Sequence, residues 1–150
     1  MRVSQTTLIV LAAAVWYTGA AVLLWKGAER MLEAAAALGP GWPLTAAIVG
    51  LGLGVIQGAT VFRRSSVRNL DRIRALESPR AWQFFRPRFF LALAAMIGGA
   101  AALGVIAGAG PIAATVVGAI DWVIGFSLLV SSAAFRAERG LAAEELEPTG

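Results

Sequence analysis

The sequence predicts an all-α membrane protein: four transmembrane helices arranged as two helical hairpins, with a basic cytoplasmic amphipathic helix between spans two and three. Three observations predict it. Apolar residues are 58% of the 150 residues and charged residues only 15%, against roughly 45–50% and 25% in soluble domains. The mean hydropathy is +0.72. The apolar residues are gathered into runs of the roughly 20 residues that cross a ~30 Å hydrocarbon core, and the basic residues are gathered between those runs.

The first span is drawn at residues 5–26, inside the uncharged run 3–25. Read as a cleaved signal peptide, this run is too long for the usual 7–15 residue apolar region, and Trp25-Lys26 ends it like an interface anchor. Span two is drawn at 42–63. Gly39-Pro40-Gly41 breaks what precedes it, and Pro43 is tolerated in a first helical turn. The stretch 89–135 holds one charge, Asp121, and is long enough for two spans. Gly108-Ala109-Gly110-Pro111 is the break signal within it, so spans three and four are drawn at 89–108 and 111–135 with a tight hairpin between them. The segment 26–38 is rich in helix formers and either extends the first span or lies on the outer surface.

Orientation follows from Lys and Arg. Arg63, Arg64, Arg68, Arg72, Arg74, Arg80, Arg86 and Arg88 lie between spans two and three. Arg2, Arg136 and Arg139 fall on the same side, and only Lys26 and Arg30 lie opposite. The arginine-rich side is the cytoplasm, which puts both termini inside. The isoelectric point near 11.0 is then a topogenic signal, and no nucleic-acid partner is expected.

The cytoplasmic loop, 64–88, begins as an amphipathic helix. Val67, Leu70, Ile73 and Leu76 share one half of the cylinder, and Arg64, Arg68 and Arg72 form another stripe. This helix either continues span two or lies on the membrane. After Pro79 the loop mixes aromatics with arginines, Trp82, Arg86 and Arg88 among them, a blend suited to the headgroup layer. Arg63, Arg64, Arg68, Arg72, Trp82, Arg86 and Arg88 are therefore the candidate contacts for anionic headgroups or for a protein partner. Ser65 and Ser66 after two arginines resemble a basic-directed phosphorylation motif, a pairing that chance produces often. The tail, 137–150, is acidic and reads as a solvated helical stub.

Inside a bilayer, burial of apolar side chains does not drive helix association, whereas close backbone approach does. Gly50, Gly54 and Gly58 recur at i,i+4 in span two, and Ala100, Gly104 and Gly108 do so in span three. These stripes serve packing within the chain or a homodimer face. PLTAAIVG at 43–50 echoes PIAATVVG at 111–118. If the echo is a duplication, the chain is two parallel hairpins related by an axis along the membrane normal.

Asp121 is the most informative single residue. Counting from Pro111 at ~1.5 Å per residue puts it about 15 Å deep, where a carboxylate costs about 2.5–3.5 kcal/mol on insertion scales. Tyr17, Gln57 and Trp122 are its candidate companions in a proton or cation site. With no Lys or Arg inside a span, no buried ion pair is expected within one chain. Asp121 is expected to be protonated and to donate to Tyr17, Gln57 or a backbone carbonyl, with Trp16 and Trp122 lining the same small cavity. Two roles stay open: a polar clamp that sets helix register, and a group that gains and loses a proton or cation in transport, as a small transporter or channel subunit would require.

The sequence has no Cys and no His. That excludes disulfides, thiol catalysis, imidazole or thiolate metal sites and His-dependent triads. Asp71 and Glu77 stand isolated among arginines, and Gly50, Gly52 and Gly54 lie within a span, so neither an acid pair nor a phosphate-cradling loop is available. The chain is not expected to be an enzyme, and no metal or cofactor is expected.

Two segments, VFRRSSVRNLDRI at 61–73 and IDWVIGFSLLV at 120–130, resemble small uncharacterised four-helix bacterial inner-membrane proteins. The resemblance implies the topology, a bacterial cytoplasmic membrane location and a polar pairing between spans two and four through Gln57, and it implies no activity. The function expected is a non-enzymatic structural or interaction role, with the basic loop binding anionic lipid or a partner.

Overall fold

A computed structural model describes residues 4–75 and 98–132 of the chain. Among these residues every element is helical. In chain order they are α1 (Gln5–Leu38), α2 (Gly41–Gln57), a π-helical segment (Gly58–Phe62), α3 (Arg63–Arg74), the described part of α4 (Gly98–Ala107) and α5 (Pro111–Ser131). Among the described residues three helices are long and apolar enough to cross a membrane: α1, the continuous run Gly41–Ile73, and α5. Residues 89–97 of the expected third span, most of the 64–88 loop and the 137–150 tail lie outside the described residues.

α1 starts where Ser4 accepts the Thr7 N–H at 3.1 Å, an N-cap that satisfies one of the free donors of the first turn. It does not stop at Trp25. Ala, Leu, Met and Glu carry the helix through the segment 26–38, giving 34 residues, because nothing before Gly39 opposes it. Gly39, at φ 80°, turns the chain while its N–H closes onto Ala35 O at 2.9 Å, and Pro40 follows. The turn at Gly110 (φ 146°) before Pro111 does the same between α4 and α5.

α2 runs without a break through the π segment into α3. In the π segment Arg63 N–H reaches back to Gly58 O, one residue further than in an α-helix. The extra residue shifts the phase of everything after it. Ile73 is fully buried, while Val67 is exposed beside the arginines. Val67 and Ile73 are six residues apart, about 120° around the helix, so the apolar stripe expected to include both is split across two faces. The Leu70 side chain and Leu76 lie outside what is described.

α5 is the centre of the bundle, packed against both α1 and α2. It runs antiparallel to α1. Gly27 and Gly118 are at close approach, Leu24 sits against Gly125, and Gly19 faces Leu128. It runs parallel to α2, where Gly50, Gly54 and Gly58 meet Ala119, Val123 and Ser127 in turn. Pro43 and Pro111 therefore begin the two echoing segments at matching heights. Ala12, Ala13, Trp16, Ala20 and Leu128 form a buried core cluster, with Phe62 and Ile124 packed on it. Trp42, Leu44, Ile48, Leu53 and Ile56 of α2 face outward, the pattern of a helix whose outer solvent is lipid.

Candidate functional site

The glycine stripe of α2 forms a seam with α5. A Cβ at Gly54 would lie 2.7 Å from Phe126 Cβ and 2.8 Å from Val123 O. A Cβ at Gly58 would lie 2.7 Å from Ser127 O, and one at Gly50 would lie 3.0 Å from Ala119 O. Only a hydrogen fits at the first two. Gly104 and Gly108 on α4 are placed differently. A Cβ at Gly104 would lie 3.5 Å from Arg30 Nη2, and one at Gly108 would meet Val105 O of its own helix.

Asp121 is 2% exposed and accepts a hydrogen bond and ion pair from Arg30 Nη1. The expectation that no buried ion pair could form is overturned. The physical reason is the continuation of α1. The segment 26–38 stays helical and runs alongside α5, with the Arg30 Cβ beside Gly118, so the long side chain reaches Asp121 from about one turn away. The Arg30 side chain is 19% exposed. One edge of its guanidinium faces Asp121, and Nη2 lies beside Gly104, where the missing side chain leaves it room. One turn earlier on α1, Lys26 pairs with Glu29 at 2.8 Å, and Trp25 Nε1 donates to Glu29 at 2.9 Å on the exposed face.

The other expected companions of Asp121 have partners elsewhere. Tyr17 lies thirteen residues before Arg30 on α1, about 20 Å along the axis, and packs on the core cluster. Gln57 Oε1 lies 3.2 Å from Ser127 Oγ. α2 and α5 are therefore joined by a polar contact through Gln57, and Ser127 is its other member. Ser127 Oγ is also 3.0 Å from Gly54 O and 2.6 Å from Val123 O, and its one proton serves one of these acceptors at a time. Trp122 donates its indole N–H to Leu24 O at 3.2 Å and stacks edge-on with Phe126. It lines an apolar crevice of about 300 Å³ with Met31, Leu32, Pro43 and Ala47. Trp16 belongs to another cluster, edge-on to Phe62 at 5.9 Å, so the two tryptophans do not share a cavity with Asp121. Arg30 and Ser127, the partners actually used, were missed because neither an arginine past the end of an apolar run nor a serine in one announces its neighbour.

Arg63, Arg64 and Arg68 are exposed at the start of α3 and, with Ala59, Thr60 and Val67, line an open pocket of about 440 Å³. Among the described residues none of the three guanidiniums has an ion-pair partner. Arg72 is half-buried and already engaged, so it stands apart from this group. Trp82, Arg86 and Arg88 lie outside the described residues, as do the side chains of Ser65 and Ser66.

Comparison with known proteins finds no matching family model, no matching curated protein and no matching solved structure.

Proposed function

We propose that this chain is a non-enzymatic integral membrane protein with a structural or interaction role, presenting a basic cytoplasmic face to anionic lipid or a partner. One contrast carries this reading. The intramembrane acid, Asp121, is neutralised by Arg30 and ties two helices together, whereas the guanidiniums of Arg63, Arg64 and Arg68 are exposed and without a described partner.

The bilayer fits best around α2 and α5. Residues 42–62 and 111–131 are each uncharged except for Asp121, and each is about 31 Å long, the thickness of the hydrocarbon core. This slab holds Lys26 with Glu29 and Arg30 with Asp121 as neutral pairs, leaving Glu33 as its remaining charge. A slab set on residues 5–26 of α1 would instead take in the arginines of α3, at much greater cost. On this reading α1 with α2, and α4 with α5, are two hairpins of a four-span bundle in a bacterial inner membrane. α3 emerges on the cytoplasmic side, where both termini lie.

The test is the lipid retained after purification in a mild neutral detergent. Wild type is expected to keep anionic over zwitterionic phospholipid, and an Arg63→Gln/Arg64→Gln/Arg68→Gln variant to lose that preference. In proteoliposomes carrying a pH gradient, wild type and Asp121→Asn are expected to be equally tight to protons. Proton flux that depends on Asp121 would overturn the reading in favour of a small transporter.

A further inference from the structure

We infer that the pocket at the junction of the π segment and α3 is a discrete site for the phosphate of one anionic phospholipid of the cytoplasmic leaflet. This rests on the membrane reading above and deepens it from a basic face to a single ligand.

Four observations converge on the same few residues. The first is charge. Arg63, Arg64 and Arg68 line one open groove of about 440 Å³ along the helix, and guanidinium groups match phosphate oxygens with paired, charge-assisted hydrogen bonds. Among the described residues no carboxylate is in ion-pair contact with them, Asp71 three residues after Arg68 included.

The second is the backbone. The π segment Gly58–Phe62 ends at Arg63. Ala59, Thr60, Arg63, Arg64, Val67 and Arg68 recur at i,i+4 along one continuous helix, so they line one opening whose first turn is the π segment. π-bulges of this kind are concentrated at functional sites.

The third is depth. The pocket begins at the cytoplasmic end of the uncharged run 42–62, one hydrocarbon thickness from its start. That is where lipid phosphates lie.

The fourth is the mixed lining. Ala59 and Val67 give an apolar wall beside the cations. Such a wall suits the glycerol backbone and upper acyl chain of a lipid better than a free inorganic ion. Thr60 contributes no spare donor, because its hydroxyl proton is given to Ile56 O at 2.8 Å. Recognition is therefore left to the arginines. A headgroup carrying its own cation would place that charge among three guanidiniums, so the ligand is a net-anionic lipid.

The experiment is native mass spectrometry of the full chain from neutral detergent micelles. The probes are dioctanoyl-phosphatidylglycerol, dioctanoyl-phosphatidylcholine and inorganic phosphate. Wild type is expected to bind one phosphatidylglycerol tightly, with later adducts far weaker and phosphatidylcholine at least about tenfold weaker. Val67→Trp fills the pocket and keeps every charge. Because Val67 is 41% exposed, this variant is expected to melt like wild type while losing the first adduct. Arg64→Lys/Arg68→Lys keeps the charge but not the fork, and is expected to weaken that adduct about tenfold. If Val67→Trp binds phosphatidylglycerol as wild type does, while the triple Arg→Gln variant does not, the discrete site is overturned and the diffuse basic face stands. If inorganic phosphate competes as well as the lipid, the assignment to lipid is overturned. If wild type shows no preference for phosphatidylglycerol, the site and the broader reading fail together.

Discussion

Arg30 and Asp121, 91 residues apart in the chain, form an ion pair that joins α1 to α5. Removing one partner leaves the other as an uncompensated charge inside the bundle, whereas replacing both by apolar groups removes the problem along with the attraction. Arg30→Met and Asp121→Leu are each expected to destabilise the protein by about 3–5 kcal/mol. Arg30→Met/Asp121→Leu is expected to recover most of that loss. Unfolding of the four proteins by denaturing detergent in mixed micelles gives the coupling energy. Additive single effects would show that the two side chains do not act as a pair.

The seam between α2 and α5 makes a sharper demand, because the obstacles are mostly backbone and Cβ atoms. A methyl at Gly58 would lie 2.7 Å from Ser127 O and 2.9 Å from Ser127 Cα, so the two helices must separate to admit it. Gly58→Ala is expected to cost about 1–3 kcal/mol, and Gly54→Leu more. Gly52 lies two residues from Gly54 on the same helix with nothing within 4 Å of its Cβ position. Gly52→Ala is expected to be neutral or to stabilise the helix by up to about 1 kcal/mol. Melting temperatures of the three variants in one detergent settle the order. An equal loss at Gly52 and Gly58 would mean that helix propensity, not close approach, governs this helix.

Much of this architecture can be read along the chain, because bilayer spanning is written in composition. The apolar runs, the break at Gly39-Pro40-Gly41, the turn before Pro111 and the spacing of Gly50, Gly54 and Gly58 are all local signals. The pairing of Arg30 with Asp121 is not local. It depends on the register of α1 against α5, which the helical character of 26–38, legible as it is, does not set. The π segment is likewise invisible, since nothing in Gly58-Ala-Thr-Val-Phe62 distinguishes it from ordinary α-helix. The split of Val67 from Ile73 has a simpler source, their six-residue spacing, which sets them about 120° apart around α3. Tyr17 shows the same limit from the other side. It is one of the few polar residues in its span, yet it lies about 20 Å along α1 from Arg30, the partner that Asp121 takes.

Ser127 and Gln57 form the second polar tie between α2 and α5. Hydrogen bonds between membrane helices average only about 0.6 kcal/mol and reach about 1.7 at most, because either partner finds substitutes when the contact is lost. Ser127 already has two backbone acceptors within reach. Gln57→Leu is therefore expected to cost under about 1 kcal/mol, well below the loss from Arg30→Met. Ser127→Ala is expected to cost about the same, since its hydroxyl is buried but small. A loss at Gln57 equal to that at Arg30 would reveal a tie stronger than this geometry accounts for. The same micelle unfolding series measures both.

The chain has no cysteine, so single cysteines can report its orientation without background. Gly41 opens α2 with nothing within 4 Å of its Cβ position, and Val67 is exposed on α3. With the bilayer around α2 and α5, these positions lie on opposite sides, about 39 Å apart along one continuous helix. Gly52, between them, faces lipid. A membrane-impermeant maleimide added to intact inner-membrane spheroplasts is expected to label Gly41→Cys and to leave Val67→Cys unlabelled until the membrane is opened. Gly52→Cys is expected to stay unreactive in both conditions. Ser4→Cys should follow Val67→Cys, because α1 runs antiparallel to α2 and brings its start back to the α3 side. Labelling of Val67→Cys in intact spheroplasts would invert the orientation and remove α3 from the anionic cytoplasmic leaflet. Labelling of Gly52→Cys from outside would move the bilayer off α2 and require a different burial of the arginines on α3.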